Sequence, residues 1–114
     1  MSHVTTHVLD AALGRPAAGV PVRLEAAADA DRSAYEPVAS GTTNEDGRVP
    51  DLGPDQLAAG TYRVVFDTAA YFERTGQKGF YPDVTIAFEL ADEDAHYHVP
   101  LLLSPFAFST YRGS

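Results

Sequence analysis

Alternation of apolar and polar side chains, in short runs separated by turn residues, constrains this chain more than any other feature. The cleanest run is residues 61–67, where Tyr62, Val64 and Phe66 share one face. Residues 4–9 set Val4, Thr6 and Val8 against an outer face of His3, Thr5 and His7, on which His3 is expected to be exposed. Val20, Val22 and Leu24 alternate with Pro21, Arg23 and Glu25, and Val84, Ile86, Phe88 and Leu90 share an inward face. A further run, 35–43, holds Pro37, which suits an edge strand because proline donates no ladder hydrogen bond. Residues 97–103 carry Tyr97, Val99, Leu101 and Leu103 on one side, with His96 and His98 on the other. Ser104-Pro105 breaks that run, and residues 106–112 form a strand that can fold back on it.

Turn chemistry fills the gaps. Thr43-Asn44-Glu45-Asp46-Gly47-Arg48 combines Asn, Asp and Gly, which tolerate unusual backbone angles. Loops are expected at 10–16, 26–34 and around Asp92-Glu93-Asp94. Pro50, Gly53, Pro54 and Gly60 punctuate residues 50–60, leaving room for one helical turn at 54–57. Only residues 68–76 read as a helix, with Thr68 as its N-terminal cap and Gly76 at its end. A helix this short needs a sheet to lean on, through Tyr71 and Phe72. Seven or eight strands at a spacing of roughly 8–12 residues, with one short helix, predict an all-β, two-sheet β-sandwich.

The 114 residues fit one domain over 1–114, since single domains cluster at about 100–150 residues. A formal charge of -8 argues against a nucleic-acid partner, which would want a basic surface. The chain has no cysteine, so disulfides and thiolate chemistry are excluded. Residues 1–5 lack the basic and apolar segments of a signal peptide, and no apolar run approaches the ~20 residues that span a bilayer. A cytoplasmic protein without membrane partners is the expectation.

His7 and His98 come from opposite ends of the chain, with Arg48 between them, and the first and last strands of a sandwich can be neighbours. Surface residues without chemistry are the plain alternative for each. A metal site would use His96 and His98, two apart on a strand, with His7 as third ligand. Metal-free acid–base chemistry needs only imidazoles titrating near ~6.5, with Arg48 holding an anion or a developing oxyanion. A binding site without chemistry is the third possibility. Arg112 is expected to pair with a carboxylate near the end of the chain. No G-x-S-x-G elbow, phosphate loop or dinucleotide fingerprint is present, so Ser104, Ser109 and Ser114 lack a nucleophile's context.

Thr6-His7-Val8-Leu9-Asp10, His96-Tyr97-His98-Val99-Pro100-Leu101-Leu102 and Tyr111-Arg112-Gly113-Ser114 together resemble the 5-hydroxyisourate hydrolases, the transthyretin-like enzymes of urate breakdown. The likeness runs from about Thr6 to Ser114. It implies a transthyretin-like sandwich, assembled as a homotetramer (a dimer of dimers) with active sites in clefts between dimers. It also implies catalytic roles for His7, Arg48, His98 and Ser114, and substrate binding by Thr110, Tyr111 and Arg112. The implied reaction opens the ring of 5-hydroxyisourate with water, without metal or cofactor, and His96 lies outside the implied set. The chief rival is a transthyretin-like carrier holding a small aromatic ligand in the tetramer's channel. A carrier has no use for His7, Arg48, His98 and the Y-R-G-S ending together. A structural sandwich module of a larger assembly is the other rival.

Overall fold

The computed structural model describes residues 2–114. Eight strands and one helix follow in order: β1 (Val4–Asp10), β2 (Arg15–Pro16), β3 (Pro21–Ala27), β4 (Tyr35–Thr42), β5 (Gly60–Phe66), α1 (Thr68–Arg74), β6 (Val84–Leu90), β7 (Tyr97–Ser104) and β8 (Ala107–Thr110). They form two four-stranded sheets, ordered β2-β1-β7-β8 and β4-β3-β5-β6. All pairings are antiparallel except one: β1 runs parallel to β7, with Thr5 beside His98 and His7 beside Pro100. The predicted all-β sandwich and its alternation are therefore found. Val4, Val8, Val22, Leu24, Val64, Phe66, Leu101 and Leu103 point inward and make the shared core.

Local chemistry explains most boundaries. β4 is an edge strand, and its register against β3 shifts between Leu24 and Glu25, next to the position where Pro37 sits opposite Glu25. An edge tolerates both the proline and the bulge. Helix α1 buries Tyr71 and Phe72, as expected. Burying one such side chain contributes about 1.5–3 kcal/mol, and packing of this kind supplies most of the stability of so short a helix.

Five expectations need correction. The cap of α1 is Asp67, whose carboxylate accepts the Ala70 N–H at 3.1 Å. Thr68 lies inside the first turn, fully buried, and donates its hydroxyl to the Tyr81 carbonyl at 2.6 Å. No helical turn forms at 54–57, because the Pro54 carbonyl and the Leu57 N–H are both bound to His3, at 3.0 and 2.9 Å. His3 itself is buried rather than exposed, and its Nε2 donates to the Ala95 carbonyl at 2.7 Å. The segment 10–16, expected as loop, ends in the short strand β2, and the returning strand β8 is only Ala107–Thr110.

A buried polar knot ties helix to sheet. Asp10, 1% exposed, accepts from the Tyr71 hydroxyl at 2.6 Å, the Gln77 amide at 3.1 Å and the Leu13 N–H at 2.8 Å. Burial pushes the Asp10 carboxyl up, but the Tyr71, Leu13, Gln77 and Ala12 donors outweigh it and hold the group below its ordinary 3.8. Burial and the Asp10 partner push the Tyr71 phenol up to about 12, so it stays a donor. Asp10 therefore contributes stability above its unfolded value, and that contribution is lost as pH falls through the lower folded value. Tyr71→Phe should cost about 1.5–3 kcal/mol in urea unfolding at neutral pH. The gap to the parent should narrow in acid; a constant gap would show that the Asp10 charge is not its source.

Candidate active site

The outer face of the β1–β7 pair is polar. Thr5 and His7 on β1 and His98 on β7 stand there, with His96 just before β7, because each alternates with a core residue. Parallel pairing places Thr5 directly beside His98. Beyond β1, the 43–48 turn makes an isolated bridge from Arg48 to His7. Beyond β7, the chain's last residues make another, from Gly113 to His98. Four backbone segments thus lie side by side, in the order turn, β1, β7, tail.

Each flank is fixed by short-range chemistry. In the turn, the Asn44 side-chain carbonyl accepts the N–H groups of Asp46 at 2.9 Å and Arg48 at 3.1 Å. Gly47 has φ +78°, and its carbonyl accepts the Val8 N–H at 2.8 Å. A side chain there would run into the Val8 carbonyl oxygen, so both conformation and close approach require glycine. At the tail, the Gly113 N–H donates to the His98 carbonyl at 2.9 Å. A Cβ on Gly113 would strike the His98 ring, so this glycine lets the tail lie against the imidazole.

Between these flanks lies an open cleft of about 650 Å³, which His7, Arg48, His98 and Ser114 all line. These four residues converge within a single chain. Tyr111 lines the cleft as well. Thr110 and Arg112 do not; they line an adjoining apolar cavity of about 350 Å³ beside Ile86, Phe88 and Tyr97, which shares His98 and Tyr111 with the cleft. Thr110 donates to the Pro100 carbonyl at 2.7 Å. Arg112, expected to pair with a carboxylate, instead stacks its guanidinium 4.5 Å over the Tyr97 ring. The cleft also takes in Thr5 and Asn44, which the sequence did not point to, and His96, which it offered only as a metal ligand. The alternation of β1 put Thr5 on the same face as His7, and this was the one available signal for it.

Proton positions follow from the partners. His7 Nε2 lies 2.8 Å from the Asp46 carbonyl, which can only accept, so Nε2 carries the proton and a neutral His7 keeps its lone pair on Nδ1. His98 Nδ1 lies 2.8 Å from the Thr5 hydroxyl. Burial pushes the His98 imidazole below its ordinary 6.5, and Arg48, His7 and His96 add repulsion, against a weaker opposing contact from the Thr5 backbone. A neutral imidazole beside a fixed guanidinium is a base set against an anion holder. No group of three or more His, Cys, Asp or Glu side chains among the described residues has a metal-binding arrangement.

Fold and cleft together define a transthyretin-like sandwich with a His–Arg cleft across its outer sheet. The HIUase/Transthyretin family model matches residues 4–113, and the chain belongs to that family. The mouse 5-hydroxyisourate hydrolase is 46% identical, over 99% of this chain and 96% of its own length. The structure of Klebsiella pneumoniae 5-hydroxyisourate hydrolase superposes with TM-score 0.85 at 36% identity, covering 100% of this chain and 94% of that one. Transthyretin from Sparus aurata superposes with TM-score 0.90 at 33% identity, covering 99% and 97%.

A nuclear magnetic resonance titration should place the His98 midpoint below 6.5. Arg48→Gln should move that midpoint upward, because removing a nearby cation favours the charged imidazole. An unmoved midpoint would mean that the guanidinium does not act on His98.

Proposed function

We propose that this protein hydrolyses 5-hydroxyisourate to 2-oxo-4-hydroxy-4-carboxy-5-ureidoimidazoline, opening a cyclic amide with water in urate degradation. One observation carries the reading: His7, His98, Arg48 and Ser114 line a single cleft. Full-length relatives that carry the hydrolase name support it.

The chemistry has three demands. Water must lose a proton, the carbonyl oxygen must be stabilised as charge builds, and the leaving nitrogen must gain a proton. His7 and His98 act as a pair, their imidazoles taking the water proton and returning one to the leaving nitrogen. Arg48 cannot lose its proton at working pH, so it serves the second and holds the oxygen-rich substrate. Ser114, brought into place by the Gly113 bridge, orients water or substrate through its hydroxyl. Tyr111 contacts the substrate from the tail, while Thr110 and Arg112 hold that tail from the neighbouring cavity. No cofactor enters any of these steps.

The carrier alternative shares the sandwich but needs an apolar channel. A cleft built from Thr5, His7, Asn44, Arg48, His96 and His98 suits an oxygen-rich substrate undergoing proton transfer far better.

We also propose one domain, working in the cytoplasm as a homotetramer. Among the described residues no helix is long and apolar enough to cross a membrane. Phe80, Phe106 and Tyr111 are more than half exposed, and Phe108 and Tyr81 form an edge-to-face pair near them, 5.3 Å between centroids. Exposed aromatics of this density favour burial between subunits.

Freshly generated 5-hydroxyisourate, followed by its ultraviolet decay, should disappear faster with the protein than without it, and equally fast in the presence of a chelator. His98→Ala should lower kcat by about 10²–10⁴-fold while leaving the unfolding transition unchanged. Full activity in that variant would remove His98 from the chemistry. In solution the mass should be four times the 12.2 kDa chain; a monomer by light scattering would overturn the assembly.

A further inference from the structure

One hydroxyl in the cleft serves two imidazoles. Thr5 Oγ1 lies 2.8 Å from His98 Nδ1 and 2.8 Å from His96 Nε2. A hydroxyl has one proton to donate and lone pairs to accept with, so it cannot donate to both nitrogens. At least one of the two rings must donate an N–H to Thr5. The tautomers of His96 and His98 are therefore linked through a residue in neither family signature nor role discussed above.

We propose that Thr5 is a positioning residue that joins His96 and His98 into a proton relay, connecting the reacting nitrogen of His98 to solvent. The inference rests on the hydrolase reading and deepens it.

Two arrangements let the Thr5 hydroxyl accept from one ring and donate to the other. In the first, His98 Nδ1–H donates to Thr5, Thr5 donates to His96 Nε2, and His96 carries its proton on Nδ1. His98 Nε2 then holds a bare lone pair and can take the proton from water. In the second, His96 Nε2–H donates to Thr5, Thr5 donates to His98 Nδ1, and His98 carries its proton on Nε2. That proton is ready for the leaving nitrogen.

Protons balance across the cycle. When His98 Nε2 takes the water proton, one proton shifts from His98 Nδ1 to Thr5 and another from Thr5 to His96 Nε2. His96 Nδ1 releases its own proton to solvent, which leaves the second arrangement. Delivery of the His98 Nε2 proton to the leaving nitrogen runs the same shifts backwards, with His96 Nδ1 taking a proton from solvent. One water has then been consumed, and the relay is back where it began. The ring that would trade with solvent is the exposed one, whereas His98 is half-buried.

The surroundings fit this direction. His96 lines the catalytic cleft on one side and, on the other, a shallow depression that also takes in Asp55, Glu93 and Asp94. On the cleft side His98 faces Arg48 from the turn and His7 from β1. A proton on His98 is therefore repelled by the guanidinium at that end of the relay.

Thr5→Val keeps a β-branched side chain in β1 and removes only the hydroxyl; Thr5→Ser restores the hydroxyl. Nitrogen-15 spectra of the imidazoles, in each protein without substrate, should show His98 Nδ1 and His96 Nε2 at shared-proton shifts in the parent and in Thr5→Ser. In Thr5→Val both rings should move to unshared tautomers. With 5-hydroxyisourate, Thr5→Val should lose about ten- to a hundredfold in kcat with KM held, and Thr5→Ser should recover most of it. Identical nitrogen spectra in parent and Thr5→Val, or an unchanged kcat, would overturn the relay. A parent protein without hydrolytic activity would instead overturn the hydrolase reading, and the spectra would still decide whether the proton is shared.

Discussion

Parallel hydrogen bonding between β1 and β7, in a register that sets Thr5 beside His98, is the constraint from which the cleft follows. Side chains alternate across a sheet, so a slip of one residue would send His98 into the core and Val99 out to the cleft. The inner face prevents that slip. Val4, Val8, Leu101 and Leu103 are all at most 1% exposed, and each methylene buried contributes about 0.8 kcal/mol. Core packing on one face of the sheet thus holds polar chemistry in place on the other.

The flanking segments extend the same principle. The turn reaches β1 through backbone bonds that only Gly47 permits, and the tail reaches β7 through one that Gly113 permits. Both bring a cleft-lining residue one position further along, Arg48 in one case and Ser114 in the other. The cleft is consequently built from main-chain geometry, with long-range side-chain packing serving mainly to hold the sheet. His98 loses proton affinity chiefly because it is half-buried among these segments, and secondarily because Arg48 is near.

Much of this was legible in the sequence, for reasons that differ by residue. Strands β1, β3, β5, β6 and β7 announce themselves because one face is buried and the other is not, which writes a period of two. The neighbourhood of His7 and His98 was foreseeable as a possibility of sandwich topology, whereas its register was not. Thr68 passed for a cap because threonine is a good one, but Asp67 competes for the same N–H groups and the Thr68 hydroxyl has a better partner in the Tyr81 carbonyl. His3 read as exposed because alternation assigns it the outer face, yet the 54–57 segment folds over it and borrows both its ring and its backbone. Arg112 and Thr5 were opaque for a common reason. Their partners, Tyr97 and the two imidazoles, are chosen by pairing across the sheet rather than by neighbours in the chain.

The central claim is that the His7–Arg48–His98–Ser114 cleft, and no other cavity, receives the substrate. Titration with urate, a stable fused-ring relative of the substrate, followed by residue-resolved magnetic resonance shifts, tests it most directly. Shifts concentrated on Thr5, His7, Arg48, His98 and Ser114 are the predicted result. Shifts gathered instead on Ile86, Phe88 and Arg112 around the apolar cavity, or none at saturating urate, would contradict it.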